Sequence, residues 1–427
     1  MQGSIPGIAP PAALEITGSA PSGWTTVGGI ASQAAADTVI LLLLLRHPRL
    51  VLRRMMWVTW AGALAALTLA STLWSLEPAL TVRRALPFAA AGLFGVWFGS
   101  RFSLQRQLAI LRWALLATAL GTIVMVAVAP SIALDHTPGH AADWQGVFTQ
   151  KNACGRIMVL ASAAVLFGEK LSRGRLLLLV LFLFVLAMSG SRGAWMVEAP
   201  VLVLWVALVL ARSIGSRGRV VLAVAAPVVL AAAACAALMI FSPMMHVLGR
   251  DTTLSGRTAI WAQVVYAIGL QPWFGYGYDA FWRGMTGPSL KINSSVHFVV
   301  LHAHNGFLEI CLELGLVGLV LFLLSWIGAW WKLWPLWREG AIDRIAWPMA
   351  VLTLIVLYDL DENTLLIYNG LFWVLYVAAL VTVEEGWRDS RHKHFPGLHA
   401  MLRLRRDAAA RSVAGNALRG TRTLQGP

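Results

Sequence analysis

Residues 302–320 read HAHNGFLEICLELGLVGLV, two histidines, an asparagine and two glutamates at the threshold of a long apolar run. Imidazoles and carboxylates are expensive beside lipid-like sequence, and where they persist there they serve proton transfer, ion passage or substrate contact. Three cations form a second candidate group: Lys151 in FTQKNACGR (148–156), Arg192 in SGSRGAW (189–195) and Arg257 in the segment 243–305, each beside small or helix-breaking residues. A guanidinium is a planar fork that grips two phosphate oxygens at once, and a helix start adds N–H donors. Cations without acids nearby therefore suit a phosphate-bearing ligand. The simpler reading of each is a side chain that reaches for lipid headgroups or pairs with an acid.

Whether these residues meet depends on the elements that carry them. With 58% hydrophobic residues, 13% charged residues and a mean hydropathy of +0.70, the 427-residue chain belongs among membrane proteins. Eleven runs are apolar over about the length a helical span needs: 29–45, 55–75, 85–100, 108–130, 150–168, 174–190, 194–212, 219–242, 306–331, 345–360 and 366–384. They are continuous rather than alternating, which predicts an all-α polytopic membrane helix bundle and argues against a barrel. The expected organisation is a flexible Pro/Gly-rich arm over 1–28 without a signal-peptide pattern, the bundle over 29–384, and a basic cytoplasmic tail over 385–427. Cys154, Cys235 and Cys311 fall in apolar runs without CxxC spacing and read as small hydrophobic residues.

The net charge of +14 is distributed by loop. If eleven helices alternate, 25 of the 34 lysines and arginines fall on one side, four of them in RHPRLVLRR and nine after residue 386. Positive-inside bias places that side and the C-terminus in the cytoplasm and the N-terminus outside. The basic tail then suits anionic lipid rather than nucleic acid. The other nine cations are Arg83, Arg84, Lys151, Arg156, Arg192, Arg250, Arg257, Arg283 and Lys291, all expected outside, where few acids are available to neutralise the Lys151, Arg192 and Arg257 group. The segment 243–305 is too long for a connector and is expected to fold on the outer face. Ile260, Val264 and Ile268 have helical spacing there, Ser255 or Thr258 can cap the helix, and Trp261 and Tyr266 read as interface aromatics.

At 100° per residue, His302, Asn305, Glu309 and Glu313 share one helix face while His304 points nearly the opposite way. We therefore read 302–305 as a pre-helical turn with Asn305 as N-cap, and expect His302 to point away from His304. Glu309 and Glu313 then lie below in the bundle, a buried pair satisfied by hydroxyls or arginines.

SRGAW, then SGRTAIW followed by PWFGYGYDAF, then HAHNGFLEICLELGLVGLV resemble in their order the O-antigen ligase and polysaccharide polymerase superfamily. Lesser matches are STLWSLEPALTVRRAL (71–86) and DWQGVFTQKNACGRIMVLA (143–161), the latter similar to the exopolysaccharide polymerase branch. The resemblance covers roughly residues 55–380. It implies a multispanning protein of the bacterial inner membrane, often with twelve spans where eleven are counted here. Such a protein transfers glycan from an undecaprenyl-diphosphate carrier on the periplasmic side. It implies further that Arg192 and Arg257 grip the donor diphosphate and that His304 is the catalytic group activating the acceptor hydroxyl. Lys151, Asn152, Trp261, Asn305 and Glu309 would support them.

A sugar diphosphate brings its own leaving group, so no cofactor is expected. The outside loops carry no Asp/Glu-rich metal motif, in keeping with a metal-independent, inverting transfer. Expected partners are the undecaprenyl-diphosphate-linked oligosaccharide donor, a glycan or lipid acceptor, the lipid bilayer, and a chain-length regulator or flippase, with no nucleic acid. Polymerisation of glycan repeats is the first reading. A ligase that moves finished glycan to a lipid A core differs in its acceptor, and a transporter would need mid-membrane charge pairs or an internal repeat. Aromatic residues of 273–282 are candidates to stack on sugar rings, and the acidic loop YDLDEN (358–363) suits either the arginines or sugar hydroxyls.

Overall fold

The computed structural model describes residues 23–136, 142–168, 171–228, 257–296, 300–368 and 370–394. Most of the expected arm, residues 229–256 with Arg250 and the candidate cap Ser255, and the tail beyond residue 394 lie outside the described residues. In chain order the helices are α1 (Gly23–Arg46), α2 (Pro48–Met55), α3 (Thr59–Ala70), α4 (Pro78–Arg101), α5 (Leu104–Val128), α6 (Pro130–Ala133), α7 (Lys151–Leu166), α8 (Arg173–Met188) and α9 (Arg192–Ala211). Then follow a helical stretch over 216–228, α10 (Arg257–Leu270), α11 (Ser289–Val296), α12 (Gly306–Glu339), α13 (Ile342–Asp359) and α14 (Leu371–His394).

The chain is an all-α polytopic membrane bundle. Each of the eleven apolar runs falls on a helix, the eighth over 216–228 as far as it is described. Five helical stretches among the described residues are individually long and apolar enough to cross a membrane: Pro48–Leu73, Pro78–Arg101, Leu104–Val128, Arg192–Ala211 and Gly306–Glu339. Apolar content had counted turns and helix ends as span. The 16 residues of α7 and the 16 of α8 rise only about 24 Å, short of a hydrocarbon core of about 30 Å.

Contacts sort the loops into two ends. At one, which we call the basic end, Arg54 pairs with Glu385 (3.4 Å), Lys332 with Glu384 (2.8 Å), Arg212 with Asp343 (3.0 Å) and Arg344 with Asp389 (3.4 Å). All these cations belong to the loops expected together on one side. The other end carries the irregular segments 142–150, 189–191, 271–288, 300–305 and 360–368.

The element that shapes this second end is α12. Glycine 315 adopts φ 67° and ψ −168°, which breaks the helix within its apolar length. The freed backbone groups are taken up by the loop after α10. Leu316 and Val317 donate to the carbonyls of Pro272 (2.8 Å) and Trp273 (3.2 Å), while Tyr276 and Gly277 donate to those of Leu312 (2.9 Å) and Glu313 (3.0 Å). Such backbone is tolerated at membrane depth only when protein buries and satisfies it.

The 71–86 stretch locks the same loop from its other edge. Trp74 Nε1 donates to the Phe274 carbonyl (3.0 Å), Leu76 N to Tyr276 (3.1 Å) and Thr81 Oγ1 to Tyr278 (2.9 Å). Arg84 pairs with Asp279 at 2.6 Å, and Arg283 pairs with Glu77. Above the loop, Ile260, Val264, Ala267, Tyr276, Phe281, Trp282, Ile292, Val300, Ala303 and Leu312 form a small core of their own. The segment 257–305 is thus a folded cap, as its sequence led us to expect. Its helix is described from Arg257 onward, so Thr258 lies within the helix rather than capping it.

A β-carbon on Gly315 would lie 2.2 Å from the Trp273 carbonyl carbon, in a conformation L residues rarely adopt, whereas one on Gly328 would meet no atom within 4 Å. Gly315→Ala should therefore cost at least about 2 kcal/mol, while Gly328→Ala should be neutral or slightly stabilising. Thermal melts of the two purified variants measure the difference, and equal melting temperatures would refute the account of the break.

Candidate functional site

Four segments converge at the irregular end: the starts of α7, α9 and α10, and the turn 302–305, all facing the 358–364 loop. The turn is held at one peptide. Ala303 is fully buried in the cap core, its N–H donates to Glu309 Oε2 (2.7 Å), and its carbonyl accepts from Trp261 Nε1 (2.9 Å). Asn305 caps α12 through a bond from the Leu308 N–H to its side chain (3.0 Å), as expected. His304 then adopts φ 50°, one of three non-glycine residues with positive φ among those described. Strain of this kind persists only where surrounding contacts impose it.

The expected direction of His302 is not what the structure shows. The His302 and His304 rings lie 4.0 Å apart between centroids, and the His304 N–H donates to His302 Nδ1 (3.2 Å). The expectation rested on helical angles, but the chain ahead of the helix bends at His302 and His304, the latter with positive φ. The bends turn Ala303 into the core and bring both imidazoles together on the other side.

What they face is Glu362. Its Oε2 lies 3.3 Å from His304 Nδ1 and 3.8 Å from His302 Nε2, and its Oε1 lies 3.5 Å from the Arg257 guanidinium. Arg257 also pairs with Asp361. The loop that presents these acids is folded by Asp359, which accepts from Thr364 N (2.8 Å), Thr364 Oγ1 (2.7 Å) and Leu365 N (3.3 Å). It is tied to the turn by Asn305 Nδ2, which donates to the Leu360 carbonyl (3.4 Å). Asp361 Oδ2 sits 2.4 Å from where a β-carbon on Gly193 would be, which places Arg257 and its acids beside the residue following Arg192. Lys151 pairs with Asp143 (2.7 Å) and Asp135 (3.7 Å), and Asn152 Oδ1 accepts from Ser191 Oγ (3.1 Å).

Several expectations are corrected by this geometry. Lys151 and Arg257 do not lack acids: their partners come from 135, 143, 361 and 362, the last two from the YDLDEN loop. Arg192 alone of the three is exposed and has no hydrogen bond or ion pair to a described residue. Glu309 is satisfied by a backbone N–H and by Trp282 Nε1 (2.6 Å), not by a hydroxyl or an arginine. Glu313 Oε2 has no partner among the described residues. Trp282 is buried in that bond and is closed to sugars, whereas Trp273 and Phe274 are exposed. Trp261 tethers the histidine turn through its bond to the Ala303 carbonyl. Glu362 and Arg156 carried no signal of their own in the sequence beyond an acidic loop and a lone cation.

Burial first, and then the His304 ring and the Arg156 and Arg257 charges, push the His302 imidazole down to about 4 against the pull of Glu362. Burial alone would raise the Glu362 carboxyl. The His304 hydrogen bond and the charges of both histidines and Arg156 override it and hold it at about 2. The ligand atoms of His302, His304 and Glu362 lie within 4.8 Å of one another, a spacing open to a metal ion. The charge balance speaks for protons instead, since Arg257 already engages the same carboxylate and two guanidiniums bear on His302.

Residues 177–323 match the sequence model of a family described as O-antigen ligase. Over 142 residues the chain is 29% identical to the exopolysaccharide production protein ExoQ of Rhizobium meliloti (strain 1021), covering 32% of this chain and 28% of that one. Over 79 residues it is 37% identical to a protein of Rickettsia prowazekii (strain Madrid E) that carries a polysaccharide-ligase name, covering 18% of this chain and 20% of that one. A polysaccharide-ligase namesake of Rickettsia felis is 35% identical over 85 residues, covering 18% and 19%. The matched stretches thus span less than a third of the relatives' own lengths.

His302 and Glu362 both titrate below their ordinary values of 6.5 and 4.5. Their contribution to stability is complete above those values and is lost as pH falls, that of His302 between about 6.5 and about 4. The melting temperature should therefore drop between pH 7 and pH 4, and drop less in His302→Gln. The same pH dependence in both proteins would remove His302 from the cluster's energetics.

Proposed function

We propose, from the match of residues 177–323 to the O-antigen ligase family model, that this chain is a membrane glycosyltransferase polymerising undecaprenyl-diphosphate-linked glycan repeats at the periplasmic face of the inner membrane. The observation that carries the reading is the acid–imidazole pair of Glu362 and His304, set between Arg257 and the start of α9.

The chemistry follows from the atoms. Glu362 accepts the Nδ1–H of His304, which fixes the ring's tautomer and leaves Nε2 free to take a proton. An acceptor sugar hydroxyl gives that proton to Nε2 as its oxygen attacks the anomeric carbon. The bond from that carbon to the diphosphate oxygen breaks, and undecaprenyl diphosphate departs with the electron pair. Attack opposite the leaving group inverts the anomeric configuration. Guanidinium charge at the irregular end offsets the charge that develops on the diphosphate. The sugar diphosphate is already activated, so nothing in the scheme needs a nucleotide or redox group. The relatives are named for exopolysaccharide production and for polysaccharide ligation, and because the longer match is to the former we put polymerisation ahead of ligation.

His304→Ala should lower transfer by about 10²–10⁴-fold while leaving donor binding intact. Glu362→Gln should lose at least about tenfold, because the amide no longer fixes the ring. Both are read as product formed by purified, inserted protein from lipid-linked donor, and wild-type rates in either variant would sink the base assignment. Sidedness has its own test: a cysteine introduced at Leu290 should label from the periplasm and one at Arg403 only from the cytoplasm. Labelling of both from one side would overturn the orientation.

A further inference from the structure

The cation expected to grip the donor is already engaged. Arg257 lies between Asp361 and Glu362, so one positive charge faces two carboxylates and the local balance is negative. A diphosphate placed there would meet repulsion from the acids before attraction from the guanidinium. Lys151 is likewise held by Asp143 and Asp135.

Two guanidiniums at this end are different. Arg192 is exposed at the first position of α9, and its side chain makes no hydrogen bond or ion pair to a described residue. Arg156, half-buried one turn into α7, is likewise free at its side chain, and only its backbone carbonyl is engaged, by the Tyr358 hydroxyl at 3.5 Å. The two are brought together by Gly155. A β-carbon there would lie 2.7 Å from Ser191 Cβ and 2.8 Å from Ala194 Cβ, the residues that bracket Arg192 and Gly193. The α7 backbone therefore presses on the start of α9 beside Arg156. Its charge also acts on His302 and Glu362, which places it toward the acid–imidazole cluster.

We propose that Arg156 is the second diphosphate-binding residue, gripping the donor together with Arg192, while Arg257 serves to position Glu362 and Asp361. The proposal rests on the glycosyltransferase reading and revises which arginine meets the leaving group. Two planar forks match a diphosphate, which offers oxygens on two phosphorus atoms, better than one fork and a paired cation do. The departing charge then meets two guanidiniums that form no ion pair with a described carboxylate, although Asp361 lies beside Gly193 and the Arg156 charge reaches Asp359 and Glu362.

The test uses the full-length protein in detergent with undecaprenyl diphosphate and undecaprenyl monophosphate as probes, read as Kd. Wild type should prefer the diphosphate. Arg156→Gln should raise the diphosphate Kd at least tenfold and abolish most of that preference, and Arg156→Lys should fall between. Arg257→Gln should change the diphosphate Kd less than Arg156→Gln does, while still slowing transfer. A purely structural role for Arg156 would lower the melting temperature without changing the ratio of the two Kd values, and that result would overturn the proposal. So would a diphosphate Kd within twofold of wild type in both Arg156 variants. If Arg156→Gln does not fold, the ratio in Arg156→Lys decides. Wild type that binds neither lipid would overturn the donor reading along with this assignment, whereas wild type that prefers the diphosphate beside indifferent Arg156 variants would overturn this assignment alone.

Discussion

A helix that breaks inside an apolar bundle must find partners for every backbone group it releases, because no water is at hand to take them. Here the break at Gly315 frees groups that the 272–277 backbone takes up, and that requirement draws a loop down into the bundle. The rest of the irregular end is stacked on the result. The loop carries Tyr276, Phe281 and Trp282 into the cap core, and Trp282 meets Glu309 one and a half turns above the break. Glu309 in turn holds the Ala303 peptide from below as Trp261 holds it from above. The strained His304 backbone is thus the last link of a chain that begins with one glycine.

A second constraint is electrostatic. Glu362 is shared by two imidazoles and a guanidinium, and Asp361 and Asp359 sit beside it on the same loop. Carboxylates this close repel one another unless cations lie between them, and partial burial sharpens both effects. Arg257 supplies the balancing charge and the imidazoles add polar contacts to Glu362, so the loop and the turn stabilise each other's position. Acid pairing at Arg257 is therefore part of how the imidazole is oriented, and not a competing fate for that arginine.

Much of this was legible in the sequence. The bundle, its two differently charged ends, the folded cap over the segment before residue 305, the Asn305 cap and the gathering of Arg192, Arg257 and His304 at one end all follow from hydropathy, loop charge and local motifs. What escaped the sequence is what depends on contacts between distant residues. Glu362 stands 58 positions from His304 and 105 from Arg257, and no local spacing links them. His302 was misdirected for a different reason: an angular argument suited to a helix was applied to residues that precede one. Glu309 was singled out, but its indole and backbone partners come from a loop whose depth only the broken helix explains.

The length of the helices bears on the kind of substrate such a site can serve. α7 and α8 begin or end at the basic end, and with 16 residues each they stop short of a full bilayer crossing. Their rise of about 24 Å is less than a hydrocarbon core of about 30 Å, so a crossing that starts at the basic end leaves Lys151 and the Ser189–Ser191 break short of the far boundary, with Arg156 about one helical turn further back. A soluble phosphate compound would have to leave water to reach cations at that depth. A phosphate carried on a lipid is already held near the membrane boundary by its chain, and loses less hydration on entry. For the transfer proposed above, cations so placed suit an amphiphilic donor better than a soluble one, for a physical reason independent of any motif.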